Sequence, residues 1–184
     1  MPVDTVPAAP ITERFGRLFA ALDSDDDAFV TWADYQRLVE RYVHGYGLDP
    51  QERRAQAIRV SYQMLWQELL RHSGAEGERL EREEFVAAMR AASEDRSRFN
   101  AAEGVAEAVF DLLDTDGDDR ISREEFLRYA NALGAEAADA EERFAGVDAD
   151  EDGFISREEF VLSAREYLFG DDTRSPGGFV SGVV

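Results

Sequence analysis

The sequence predicts an all-α fold: four helix–loop–helix units arranged as two pairs in one compact globule, with short β contacts between paired loops. Three observations carry this. Four segments register on an apolar eighth place, Val30, Leu80, Ile121 and Ile155, which starts their loops at Asp23, Ser73, Asp114 and Asp148. The residue after the twelfth place is aromatic in all four: Tyr35, Phe85, Phe126 and Phe160. Apolar residues flank each loop at spacings of three and four, the period of an amphipathic helix. Such a unit leaves an apolar face open, so it pairs with a neighbour, first with second and third with fourth.

Residues 1–10 carry three prolines and read as a flexible lead-in. The first pair then spans 11–92, with loops at 23–34 and 73–84. Phe15, Leu18, Phe19 and Leu22 share the inward face of the first helix, and Tyr35, Leu38, Val39 and Tyr42 that of the second. His44-Gly-Tyr-Gly47 ends the second helix. A long third helix is expected from Asp49, with Asp49 as cap, Pro50 in the first turn and Glu52 reaching back. Its inward residues are Ile58, Tyr62, Leu65, Trp66 and Leu69, and Phe85, Val86 and Met89 begin the helix that leaves the second loop.

A polar linker at 93–99 precedes the second pair at 100–169, whose loops lie at 114–125 and 148–159. Asn100 caps its first helix, with Glu103 three residues on. Val109, Phe110 and Leu113 lead into the third loop, and Phe126, Tyr129 and Leu133 lead out to Gly134. A short acidic, alanine-rich helix with Phe144 and Val147 enters the fourth loop, and Phe160, Ala164, Tyr167 and Leu168 follow it. The tail at 170–184 is turn-rich but ends with Phe179, Val180, Val183 and Val184. It either folds back over an apolar groove or frays as chain ends do.

The loops carry the chemistry. A hard divalent cation such as calcium needs six to eight oxygens, and a twelve-residue loop supplies them from alternate side chains, one backbone carbonyl and a final two-oxygen carboxylate. The fourth loop offers Asp148, Asp150, Asp152 and Glu159, the Phe154 carbonyl, and Ser156 directly or through water. Gly153 at the sixth place permits the positive φ of the turn. The third loop offers Asp114, Asp116, Asp118 and Glu125, the Arg120 carbonyl and Ser122, with Asp119 at the sixth place, a residue that tolerates positive φ.

The first loop offers Asp23, Asp25, Asp27 and Asp34, the Phe29 carbonyl and Thr31, and departs twice. Ala28 holds the sixth place, where a left-handed alanine costs about 1–2 kcal/mol. Asp34 closes the loop one methylene short of glutamate, which lowers the coordination toward six and lets magnesium compete. The second loop keeps Glu84 but has Ser73, Ala75 and Gly77 at its first, third and fifth places. One carboxylate cannot replace a hydration shell, so this unit serves to pair with the first.

At this point the chain resembles the EF-hand proteins, and within them the calerythrin and sarcoplasmic calcium-binding subgroup. The likeness spans Thr12 to Gly170 and rests on three acidic loops, a degraded second loop and the long connection between the first two hands. The ending Arg-Glu-Tyr-Leu-Phe-Gly170 adds to it. The resemblance implies a compact four-hand globule that binds calcium and often magnesium.

Composition narrows the function classes. The chain of 184 residues is 44% hydrophobic and can bury a core, while its formal charge of −20 disfavours nucleic acid and anionic membranes and favours cations or basic partners. All 20 basic residues are arginine, which reads as codon bias in a GC-rich genome. Without cysteine there are no disulfides or thiolate metal sites. Neither a secretory signal nor a membrane span of roughly 18 apolar residues is apparent, so the expectation is a soluble, cytoplasmic monomer. His44 and His72 are the only histidines, neither is placed for catalysis, and no nucleophile or phosphate-cradling motif accompanies them. Three methionines, Met1 among them, make a poor adaptable groove, which favours an intracellular calcium buffer or transporter. The alternative is a sensor that exposes an apolar groove to a basic or amphipathic partner segment.

Overall fold

The computed structural model describes residues 10–94 and 100–169, the side chains of 10, 168 and 169 excepted. Residues 1–9 of the lead-in, residues 95–99 of the linker, the inward role of Leu168, and the tail with Phe179, Val180, Val183 and Val184 lie outside the described residues. Pro10, expected in the lead-in, opens the first helix, and Ser93 and Glu94, expected in the linker, close the fourth. Helices α1 (Pro10–Leu22) and α2 (Trp32–Gly45) flank the first loop, and α3 (Arg53–Ser73) and α4 (Arg82–Glu94) flank the second. Helices α5 (Ala101–Leu113) and α6 (Arg123–Ala132) flank the third, and α7 (Ala137–Val147) and α8 (Arg157–Phe169) the fourth.

The loops meet in two antiparallel ladders. Strand β1 (Val30–Thr31) pairs with β2 (Arg79–Leu80), placing Val30 opposite Leu80. Strand β3 (Arg120–Ser122) pairs with β4 (Phe154–Ser156), placing Ile121 opposite Ile155. All four of these eighth-place residues are completely buried. The pairing and its register are those the repeat predicts, because an apolar residue inside a charged loop can leave water only against its counterpart.

The inward stripes merge into one core. Phe19 packs edge-on against Phe85, Phe110 against Phe160, and Phe126 against Phe144, so each contact joins helices of paired hands. Long α3 lies against α2, α4 and α5, and α2 also touches α6, which closes the two pairs into a single body. Buried Arg14 on α1 donates to the Tyr167 carbonyl of α8 at 2.7 Å, tying the first helix to the last.

One helix start differs from expectation. Helix α3 begins at Arg53, not after Asp49. Asp49 turns the chain instead: its Oδ1 accepts the Gln51 N–H at 2.8 Å, and its carbonyl accepts the Glu52 N–H at 2.8 Å. Glu52 stays extended, and its carboxylate accepts from Arg54 rather than reaching back to a cap. Local side-chain bonding of this kind competes with helix initiation. Asn100, by contrast, caps α5 as predicted, its side chain accepting the Ala102 and Glu103 N–H groups.

Candidate metal centres

The acidic loops fold around their own first residue. In the fourth loop Asp148 Oδ1 accepts the Asp152 N–H at 3.1 Å and Oδ2 accepts the Gly153 N–H at 2.9 Å. In the third, Asp114 takes the Gly117 N–H at 2.8 Å and the Asp119 N–H at 3.0 Å. In the first, Asp23 takes the Asp27 and Ala28 N–H groups at 3.0 and 3.1 Å. Closing so tight a turn needs positive φ at the sixth place, and Ala28, Asp119 and Gly153 all adopt it. The fourth place is left-handed too, at Asp26, Gly117 and Glu151. The third loop thus carries its glycine two places early, a feature invisible to a motif that asks only about the sixth.

These turns bring carboxylates together. One oxygen each from Asp23, Asp25 and Asp27 lies within 4.8 Å of the others, and the same holds for Asp114, Asp116 and Asp118 and for Asp148, Asp150 and Glu159. Asp152 stands beside the last set, its Oδ1 taken by the Phe154 N–H at 2.8 Å. Arg120 and Phe154 open the strands that follow, and Phe29 immediately precedes β1, so all three candidate carbonyls sit where loop becomes ladder.

The ninth and twelfth places have a second role. Ser122 and Glu125 form a capping box at the start of α6, as Thr31 and Asp34 do for α2. In the fourth loop the Ser156 N–H and hydroxyl both donate to Glu159 Oε2 at 2.8 Å. The far oxygen of each glutamate crosses the loop: Glu125 Oε1 accepts the Thr115 N–H at 2.8 Å, and Glu159 Oε1 accepts the Ala149 N–H at 3.0 Å. Asp34 does not cross. Its Oδ2 accepts from Thr31 at 2.7 Å, while Oδ1 meets the Arg37 guanidinium.

Like charge strains the sets and marks where a cation would fit. The Asp116 carboxyl is held above its ordinary range: the Asp118 N–H pulls it down, but desolvation and the charges of Asp118, Glu125 and Asp114 together prevail. Asp150 is raised in the same way, the Asp152 N–H being outweighed by desolvation and by Asp152, Glu159 and Asp148. Glu125 and Glu159 move the other way; desolvation pushes them up, and their several hydrogen bonds overcome it. All-oxygen, multiply anionic donor sets suit a hard cation such as calcium.

The second loop has no such set. Ser73 still belongs to α3, its hydroxyl donating to the Leu70 carbonyl at 2.9 Å, and Gly74 caps that helix with φ of 64°. Glu84 Oε2 accepts the Glu81 N–H at 2.9 Å, so the exit helix keeps its cap while the entry side is helix rather than loop.

Three arginines of the loops escaped the sequence reading. Arg157 ties the fourth hand to the third, meeting Asp119 of the third loop at 2.8 Å and Glu107 and Asp111 of α5 at 2.8 and 2.9 Å. Seventh-place pairs stack alike in both ladders, with Arg79 4.4 Å over the Phe29 ring and Arg120 4.3 Å over the Phe154 ring. The shared seventh register was the available signal for these stacks.

Comparison with known proteins agrees with this geometry. The family model for the EF-hand domain pair matches residues 12–131 and again 103–165. A sarcoplasmic calcium-binding protein of Perinereis vancaurica tetradentata is 27% identical over 122 residues, 66% of this chain and 68% of that protein. A Streptomyces coelicolor calcium-binding protein, described in terms of prokaryotic calcium-mediated regulation, superposes with a TM-score of 0.72. It is 25% identical, and the match covers 88% of this chain and 99% of that one. Calcium-loaded apo-aequorin from Aequorea victoria shares the fold with a TM-score of 0.73 at 17% identity, over 88% of this chain and 92% of that one.

Proposed function

The chain belongs to the EF-hand domain pair family of calcium-binding proteins, and from that premise we propose that it holds calcium in three loops and acts as an intracellular calcium buffer or transporter. The observation that carries the reading is the threefold carboxylate convergence at Asp23, Asp114 and Asp148, each loop ending on a twelfth-place acid that also caps the exit helix.

In this reading Asp148, Asp150, Asp152 and Glu159 hold one ion with the Phe154 carbonyl and Ser156. Asp114, Asp116, Asp118 and Glu125 hold a second with the Arg120 carbonyl and Ser122. Asp23, Asp25, Asp27 and Asp34 hold a third with the Phe29 carbonyl and Thr31, and magnesium competes there best. The hand at 73–84 is structural. Bound calcium supplies concentrated positive charge that relieves the repulsion within each set, and the chain's own residues orient the oxygens through the capping boxes.

The closed core supports a buffer. Met89 is buried, and the large apolar side chains that stand exposed among the described residues are Val60, Met64 and Leu162. None of the described helices is long and apolar enough to cross a membrane. Nor do the histidines favour catalysis: His72 lies 3.5 Å from Glu68, and His44 is in the last turn of α2.

A second reading, a calcium sensor with a basic or amphipathic partner, is favoured by the similarity to the Streptomyces coelicolor protein. A calcium titration with magnesium present, followed residue by residue, tests site number. Binding of a hydrophobic dye with and without calcium separates the two roles. A buffer leaves dye binding nearly unchanged, and a large calcium-dependent rise establishes the sensor.

A further inference from the structure

The twelfth-place acid of the first loop meets a cationic side chain where those of the other two acidic loops meet neutral donors; in the third loop a cation, Arg120, meets the fifth-place Asp118 instead, at 3.4 Å. Arg37, on the turn of α2 after Asp34, donates from Nε to Ser24 Oγ at 3.0 Å and from Nη2 to Asp25 Oδ2 at 3.1 Å. The same Nη2 meets Asp34 Oδ1. Asp25 and Asp34 are the third- and twelfth-place acids, so one guanidinium bridges two carboxylates that a metal in this loop would need. Asp34 is 2% exposed at its side chain, so that ion pair is shielded from water on the acid's side. Charge-assisted bonds of this kind are among the stronger ones in proteins.

The cause is the missing methylene. Glu125 and Glu159 reach the N–H of the second loop residue, Thr115 or Ala149, and are held there by a neutral donor. In the first loop the Ser24 N–H is committed to the Leu22 carbonyl at 2.7 Å, and Asp34 stops short of it. Arg37 fills the gap. An arginine also stands at the same register after the third loop, Arg128, yet Glu125 makes its bonds to Thr115 and Ser122 instead. Among the described residues, Asp34 is the one twelfth-place acid of the three acidic loops that is ion-paired. Arg37 also borders a cavity of about 410 Å³ that Ser24, Asp34, Leu38, Arg41 and His44 line with it, open space beside the ion pair into which the side chain can swing.

We propose that Arg37 is a tethered counter-ion of the first loop, which a divalent cation must displace from Asp25 and Asp34 before it can be fully coordinated. Arg37 thereby sets this site as the weakest of the three and delays its filling until the third and fourth loops are occupied. The inference rests on the three-site reading above and adds the residue that orders the sites.

The test is a calcium titration of the full chain and its R37Q and R37K variants, read from the backbone amides of Ala28, Asp119 and Gly153 by NMR. Unchanged amide patterns outside the first loop establish that the variants fold. R37Q is expected to tighten the Ala28 site roughly ten-fold, with the Asp119 and Gly153 sites unmoved. R37K, which keeps the charge without the planar fork, is expected to lie between R37Q and the parent. An Ala28 site that is unchanged or weakened in R37Q overturns the proposal and makes Arg37 a positioning group for Asp34. Failure of Ala28 to saturate in both parent and R37Q, with the other two saturating, also overturns it and reduces the site count to two. If none of the three responds in any variant, the calcium reading itself falls.

Discussion

Tyr42 and Tyr129 stack with ring centroids 5.8 Å apart and 7° between their planes, so α2 of the first pair touches α6 of the second through two parallel rings. Their hydroxyls are 3.4 Å apart, and the Tyr42 hydroxyl also lies 3.1 Å from that of Tyr62 on α3. Burial is the chief cause holding all three phenols above the ordinary tyrosine range, so they stay neutral and able to donate. Tyr42→Phe keeps the stack and removes both hydroxyl contacts, and is expected to cost about 1–2 kcal/mol. Tyr42→Ala also opens a cavity and is expected to cost about 3–5 kcal/mol. Urea unfolding at fixed calcium measures both. Because the ring lies between the pairs, a single transition should shift as a whole; loss of only one half's signal would show the halves to be independent.

Ala28 and Asp119 hold the same left-handed place, with φ of 68° and 62°. Ala28→Gly removes a strained Cβ and is expected to stabilise the calcium-free protein by about 1 kcal/mol, less the added entropy of the unfolded chain. Asp119→Gly gains less, because it also loses the 2.8 Å ion pair with Arg157. Thermal unfolding of the two variants in chelator should rank them in that order. Equal gains would mean the Arg157 contact contributes nothing measurable, as exposed ion pairs often do not.

What could be read from the chain was whatever repeats. Val30, Leu80, Ile121 and Ile155 gave the ladders, and the acids at alternate places gave the sets, because period and spacing are linear in sequence. The fate of Asp34 was half readable: its short arm predicts poor reach, but Arg37 approaches from the following helical turn. The start of α3 was misread because a capping signature and an Asx turn use the same letters, Asp-Pro-Gln-Glu, and the geometry of Asp49 decides between them. Arg157 was unreadable, since its partners lie 38 to 50 residues away.

Protons and calcium compete for the same oxygens. Asp116 and Asp150 are raised, so each favours folding most when protonated, a contribution lost as pH rises through its folded value. Glu125 and Glu159 are lowered, so their contribution is full above the ordinary glutamate value and lost as pH falls through the folded one. In chelator the two trends oppose, and stability should vary little just above the ordinary aspartate pKa of about 3.9. With calcium, binding requires all four deprotonated, so stability should climb with pH across that window. Thermal unfolding from about pH 4 to pH 6, with and without calcium, checks the difference. Parallel curves would sink the idea that these acids share the ion.

A reciprocal exchange at the twelfth place tests whether chain length there sets selectivity. Glu159→Asp keeps the capping bonds to Ser156 but withdraws the oxygen that reaches the Ala149 N–H. Calcium affinity at the fourth loop is expected to fall roughly ten-fold, with magnesium affected less, since six-fold coordination tolerates the shorter arm. Asp34→Glu makes the opposite change. Its longer arm must push past Arg37 toward the Ser24 backbone, so its gain in calcium affinity should be small alone and larger in combination with R37Q. Isothermal titration of the four variants, D34E, R37Q, the double variant and E159D, against calcium and magnesium measures this coupling. Strict additivity of D34E and R37Q would show that arm length and the Arg37 charge act separately on the first loop.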